Sequence, residues 1–262
     1  MGLPLIYIIY LSFMTRGDVF GVKHIFTLSS YADLASPFYI GVFWNSLKLA
    51  AMSELVIICV GYPFGYIMAK QSARMKKLML ILIMLPYWTS GLIRLYGWVI
   101  AFRANGTLDK LLMALGITDT PLKLLYLHPA VVVGMAYALL PTMILAVFSA
   151  TEKMDWSLVD AAKDLGASKL RAFWDITLKN TISGLLSGVV LTFIPSMGLY
   201  FVVEILGGNR DVIVGSVLQD LMTRGNNQPL AAAMAVWLML MTAFMLLLYR
   251  RVAKTSKLEG IY

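Results

Sequence analysis

The sequence predicts an all-α, polytopic membrane protein with six transmembrane helices, and three observations carry that prediction. Of 262 residues, 60% are hydrophobic and only 14% are charged, more apolar surface than a soluble domain of this size can hide. The apolar residues fall in long runs separated by polar stretches punctuated with glycine and proline. Most of the 22 Lys and Arg lie in three of those stretches, 70–77, 152–179 and 250–262. A net charge of +8 in a soluble chain would suggest nucleic acid as a partner; here bases beside apolar runs read as membrane topology, and no nucleic acid is expected.

The first apolar run, residues 3–14, is shorter than the roughly twenty residues that cross a bilayer, so it reads as a short or truncated first helix. It lacks a basic leader and a small-residue cleavage site and is not a signal peptide. Residues 16–39 form an extramembrane loop with one short helix, signalled by Thr27, Ser29, Ser30 and Asp33. The second helix spans 42–70, with a kink predicted at Gly61, Pro63 and Gly65. Lys70, Arg74, Lys76 and Lys77 follow with no acid among them, which marks the cytoplasmic side. The third helix, 78–102, breaks near Leu85 and Pro86 and continues into an aromatic outer part with Tyr87, Trp88, Tyr96 and Trp98.

An outer loop at 103–128 carries a short amphipathic piece from Leu108 to Leu115, and the fourth helix spans 129–150. The fifth helix covers 182–206 with Pro195 inside it, 207–228 returns outside, and the sixth runs 229–249 towards Arg250, Arg251, Lys254 and Lys257. The charge bias places the 152–179 loop and the C-terminus in the cytoplasm, and residues 1–262 read as one domain. Cys59 is the single cysteine and sits in an apolar run, so no disulfide framework or cysteine-based metal site is available. His24 and His128 lack metal-ligand spacing, and the scattered methionines suit adaptable packing.

The polar segment DAAKDLGASKLRAFWDITLK, residues 160–179, stands apart from the lipid runs on either side. Asp160, Ala161, Ala162 and Leu165 suit a short helix, Gly166 a turn, and Ala167 to Leu170 the start of a second helix leading to Phe173, Trp174 and Ile176. The two alanines leave a face that a partner can approach closely, and Asp160 and Arg171 could fix its orientation. In pattern the segment resembles the cytoplasmic EAA loop of ABC-importer permeases: Asp160, Ala161, Ala162, Gly166, Ile176 and Leu178 fall in register. Asp160 stands where that family usually has Glu, and Lys179 where it usually has Pro.

The stretches FTLSSYADL, GYPFGYIMAK, LPYWTSGLIRLYGW and IPSMGLYFVVEILGG extend the resemblance over nearly the whole chain to the spermidine/putrescine-type permeases of that family. The resemblance implies the type I ABC-importer permease fold in a bacterial inner membrane. It implies assembly with a second, homologous permease, two ATPase subunits and an extracytoplasmic substrate-binding protein, with lipid around the assembly. The coupling residues it nominates are Asp160, Ala161, Ala162, Leu165, Gly166, Ala167 and Arg171. No Walker A pattern is present, so no nucleotide cofactor is expected on this chain; ATP and Mg belong to the partner ATPase. The chain is then a transport subunit with no catalytic and no metal-ligating residues of its own.

A polycation crossing a membrane needs compensating groups, for which acids and aromatic faces are suited. Glu204 and Tyr200 are the first candidates, expected with Met197 on one face of the fifth helix at its outer end. Glu54 lies about twelve residues into the second helix, roughly 18 Å along it, near mid-bilayer. A carboxyl there should face a protein partner, sit beside a base or be protonated; Arg94 of the third helix is a candidate base, and an ion-pair or packing role is favoured over substrate contact. Tyr87 and Trp88 are candidates for an outer gate or an interfacial belt. Asn209, Arg210 and Asp211 form a polar turn available to a binding protein. An intramembrane enzyme would need paired His/Glu, two-aspartate or Ser/His motifs that are absent; a passive channel or secondary carrier would not need the EAA-like loop.

Overall fold

The computed structural model describes residues 2–17, 21–208 and 211–258, with 252–258 as backbone only. In chain order the elements are α1 (Gly2–Ser12), a hairpin of β1 (Met14–Arg16) and β2 (Val22–Phe26), α2 (Ser29–Leu34), α3 (Pro37–Ala69), α4 (Ala73–Met84), α5 (Gly91–Phe102) and α6 (Thr107–Ala114). There follow α7 (His128–Glu152), α8 (Ser157–Asp164), α9 (Lys169–Ala172), α10 (Lys179–Gly198), α11 (Tyr200–Gly207), α12 (Val214–Thr223) and α13 (Gln228–Leu258). Helix dominates because backbone groups in hydrocarbon must be satisfied within the segment.

Four helical rods are long and apolar enough to cross a bilayer: Pro37–Ala69, His128–Glu152, Lys169–Gly198 and Gln228–Arg251. A fifth, Ala73–Trp88 with Gly91–Phe102, is bent by 94°. With the short apolar α1, these are the six expected segments. The break in the third lies where it was predicted: a tight 3-10 turn at Leu85–Trp88, then extended backbone at Thr89, whose hydroxyl donates to the Pro86 carbonyl at 2.8 Å. Proline cannot donate to the preceding turn, so the helix tightens and then reorients.

Two expectations are corrected. Among the described residues, the antiparallel hairpin departs from all-α; Phe13 stacks on Phe26 at 5.3 Å, and Arg16 donates to the Gly225 carbonyl at 2.7 Å, tying the hairpin to the turn before α13. The second helix, where a kink is predicted, stays helical through Pro63. There a Cβ on Gly65 would lie 2.9 Å from the Ile144 carbonyl, so the glycine serves close approach of α7. The fifth helix, in contrast, is not one span. It ends at Gly198, leaves helical geometry at Leu199 (φ −76°, ψ 56°) and restarts as α11. The α12 backbone packs at this break, since a Cβ on Gly215 would lie 2.8 Å from the Gly198 carbonyl. Residues 207–228, expected as a plain return, hold that helix.

α3, α7 and α10 pack together as the centre. Ile57, Met143 and Val147 are fully buried in the middle, while Leu49, Val131, Val202 and Leu206 bury towards α5 and α11. Small residues set the α7–α10 distance: a Cβ on Gly184 would meet the Ala150 Cβ at 2.2 Å. α1 lies along α13, and Val214, Val217 and Met234 join α12 and α13 to α2. Large apolar side chains such as Trp237, Phe244 and Leu247 face outwards, the reverse of a water-soluble surface.

Candidate functional site

The first candidate site is the elbow between the fourth and fifth spans. Met154, Val159 and Ala172 are buried in a small core of its own, with Trp156, Ala162, Ala167 and Ile176 packed on it. α8 ends in a Schellman turn. Gly166 N–H donates to the Lys163 carbonyl at 2.9 Å and Ala167 N–H to the Ala162 carbonyl at 3.0 Å. Gly166 has φ +88°, the left-handed region that a side chain resists. Ser168 then caps α9 by accepting from Arg171 N–H at 3.2 Å. The helix, turn and second helix stand as predicted, except that the second is no separate piece. It continues through a π-helical stretch, Phe173–Leu178, into α10.

A groove of about 340 Å³ opens on this elbow, lined by Ala162, Leu165, Gly166, Ala167, Arg171 and Ile176 among others. Leu165 at its rim is 90% exposed, and Leu170 and Trp174 are exposed beside it. Asp160 and Ala161 lie on the exposed surface of α8, away from that groove. Asp160 pairs with Lys163 at 2.9 Å and Arg171 with Asp175 at 3.4 Å, so the two charges nominated to fix orientation each have a local partner. The Asp160 hydrogen bond holds the Lys163 ammonium above its ordinary pKa, and the side-chain and backbone bonds from Ser157 hold the Asp155 carboxyl below its own.

The candidate path residues do not form one constellation. Glu54 is buried on α3 and meets the Thr192 hydroxyl of α10, with Oε1 at 3.0 Å and Oε2 at 2.8 Å; the same hydroxyl lies 2.8 Å from the Gly188 carbonyl. Arg94 is not its partner. The guanidinium sits over the rings of Tyr87 and Tyr137, 5.1 Å and 5.9 Å from their centroids. Tyr87 hydroxyl donates to the Ala138 carbonyl at 3.3 Å, while Trp88 is 85% exposed.

Glu204 lies exposed on α11 in a cavity of about 430 Å³ that Asp211, Ser216, Gln219, Asp220 and Arg224 also line. The shared face expected for Met197, Tyr200 and Glu204 does not exist, because the break at Leu199 leaves Met197 buried on α10. Tyr200 is half-buried against Phe201 and does not line the cavity. Asp211, passed over as turn, is buried and pairs with His128 at 2.9 Å, clamping the start of α7 to the mouth. Asn209 and Arg210 lie outside the described residues. Sequence reasoning also missed Thr192, Gln219 and Asp220; a hydroxyl four residues after Gly188 in an apolar run was the one signal available for Thr192. Among the described residues, no group of three or more His, Cys, Asp or Glu is placed to hold a metal ion.

Comparison with known proteins places this geometry. Residues 61–257 match the family model described as binding-protein-dependent transport system inner membrane component. The chain is 38% identical over 252 residues to the spermidine/putrescine transport system permease protein PotB of Escherichia coli (strain K12), covering 96% of this chain and 92% of that one. It is 34% identical to the protein of the same name from Haemophilus influenzae, covering 96% and 88%. Among solved structures, a bacterial alginate ABC transporter in complex with an alginate pentasaccharide-bound periplasmic protein superposes with a TM-score of 0.72 at 15% identity, over 97% of this chain and 88% of that one. The fold is that of an ABC-importer permease.

Proposed function

The chain belongs to the family of binding-protein-dependent transport system inner membrane components, and on that premise we propose that it is the permease subunit of an ATP-driven importer for spermidine and putrescine. The observation that carries the substrate class is the 38% identity over 252 residues, 96% of the chain. In this reading the chain pairs with a second, homologous permease and with two ATPase subunits that use ATP and Mg. An extracytoplasmic binding protein delivers the polyamine to the outer mouth. The elbow and the C-terminus face the cytoplasm, in accord with the Lys and Arg bias.

The geometry suggests how a motor acts on the path. An apolar knob from the ATPase would bury Leu165 and seat in the groove beside Gly166. α9, the π-helical stretch and α10 form one rod, Lys169–Gly198, so a displacement of the elbow moves the rod as a body. Near its far end Thr192 grips Glu54 of α3, and beyond it the break at Leu199 leads to α11 and the Glu204 cavity. Alternating access then consists of shifting α10 against α3 and α7 while the mouth changes shape about Leu199. Asp160, Ala161, Ala162, Leu165, Gly166, Ala167 and Arg171 serve coupling. Glu204 offers charge to the arriving polycation and Glu54 steadies the rod; Tyr200, Tyr87 and Trp88 flank the outer half.

The test is uptake of radiolabelled spermidine and putrescine in cells lacking other polyamine importers, with this chain expressed beside its sister permease, ATPase and binding protein. Saturable uptake that stops when the ATPase is inactivated is the expected result. Uptake indifferent to the ATPase, or absent for both polyamines while another solute enters, would refute the reading.

A further inference from the structure

At the inner end of α3 a second cavity, of about 260 Å³, opens between that helix and the elbow, and no part of the transport proposal uses it. Its charged lining is Lys70, Lys163 and Lys169, with no acid among the lining residues. Tyr66 and Phe173 form an aromatic wall, their rings edge-on at 5.7 Å. Lys70 is held over that wall: its ammonium donates to the Tyr66 hydroxyl and lies 4.2 Å from the Tyr66 ring centroid and 5.0 Å from that of Trp156. Lys163 is balanced by Asp160, which leaves Lys70 and Lys169 as uncompensated positive charge at the cavity.

The remaining polar wall is Thr177, which is only 1% exposed and whose Oγ1 has no hydrogen-bond partner. Other helical threonines behave differently: Thr151, Thr181, Thr223 and Thr242 each donate to the carbonyl four residues earlier. Thr177 sits in the π-helical stretch, where the wider turn changes that register, and such stretches are frequent at functional positions. A buried donor that shares an aromatic-walled cavity with two ammonium groups lacking an acidic partner is complementary to a compact oxyanion. Bases and aromatics at the cytoplasmic end of a membrane helix also match the depth of lipid phosphates.

We infer that this cavity binds a phosphate group, with Lys70 and Lys169 supplying charge and Thr177 a hydrogen bond, and so links lipid or phosphate to the elbow that moves the rod. The inference concerns binding by this chain and stands apart from the transport proposal.

The full chain, delipidated and placed in phosphatidylcholine nanodiscs, is titrated in two arms: phosphatidylglycerol, followed by native mass spectrometry, and inorganic phosphate, followed by equilibrium binding. Saturable binding in the first arm identifies a lipid headgroup and in the second free phosphate. In either case Lys70→Gln and Lys169→Gln should each weaken it about fivefold. Thr177→Val should weaken it about threefold to tenfold, and Thr177→Ser should restore it. Lys77→Gln, an exposed lysine outside the cavity, should leave it unchanged. No binding in either arm, or equal loss in Lys77→Gln and the cavity variants, would overturn the inference.

Discussion

The two ends of the molecule are built by different rules. The elbow is assembled from residues close in sequence, with Met154, Val159, Ala172 and Ile176 in one small core and a Schellman turn closing on Gly166. The outer mouth gathers distant ones: His128 holds Asp211, the Ser46 hydroxyl accepts from Val214 N–H at 2.8 Å, and Glu204 shares a cavity with Asp220. The elbow exposes an apolar tip at Leu165, whereas the mouth exposes carboxylates. The elbow is thus a locally assembled unit, and the mouth is a surface whose shape depends on how three helices meet. Variants at the two ends should therefore fail in different ways.

The largest effect is expected at Gly166. A valine there must adopt φ +88°, at a cost of about 1–2 kcal/mol or more, and the turn that aims α9 is lost. Gly166→Val should leave the chain in the membrane while uptake and co-purification of the ATPase both fall at least about tenfold. Normal uptake by that variant would remove the elbow from the coupling role.

Next comes the contact that joins the two ends through α10. Thr192→Val removes the one hydroxyl against Glu54, leaving a buried carboxyl without its partner at a cost of about 1–3 kcal/mol. The purified complex should melt at a lower temperature, and the Glu54→Gln/Thr192→Val double variant should be non-additive by about 0.5–3 kcal/mol. If Glu54 instead met the substrate directly, its variants would raise the KM for spermidine and leave the melting temperature unchanged.

How much of this could be read from the sequence follows the same division. Gly166, the paired alanines and the amphipathic piece at 108–115 are local signals, and helices formed where they indicated. The break at Pro86 was legible because proline acts on its own turn. The break at Leu199 was not, since it depends on α12 packing against Gly198, a contact between segments that no periodicity encodes. Which partner Glu54 met was not legible for a related reason: of the alternatives open to it, it took the Thr192 hydroxyl of α10, while Arg94, a candidate base, lies over Tyr87 and Tyr137. The hairpin from Met14 to Phe26 was hidden because short strands pinned by two stacked ring pairs and a tie to Gly225 carry little signal of their own.

A smaller effect, confined to one end, is expected at Leu165. With 90% of its surface exposed, its worth lies in what covers it, and burying such a side chain contributes about 1.5–3 kcal/mol. Leu165→Ser should weaken ATPase binding about tenfold or more in a pull-down titration, with the chain's own melting temperature unchanged and the KM for spermidine unaltered. A shift in that KM would mean that the elbow and the mouth do not fail independently.

The smallest effect belongs to Glu204. Its carboxylate is exposed, so its attraction for a polycation is weakened by water and screened by salt, and the other acids of the cavity, Asp211 and Asp220, are already paired with His128 and Arg224. Glu204→Gln should raise the KM for spermidine about twofold to fivefold at low ionic strength, and the difference should shrink as salt is added. ATPase binding should not change, because the length of α7 and α10 separates the mouth from the elbow. A loss that persists at high salt would instead place Glu204 in a desolvated contact with the cation, making the mouth a binding site in its own right; loss of the ATPase would show that the two ends are one structural unit.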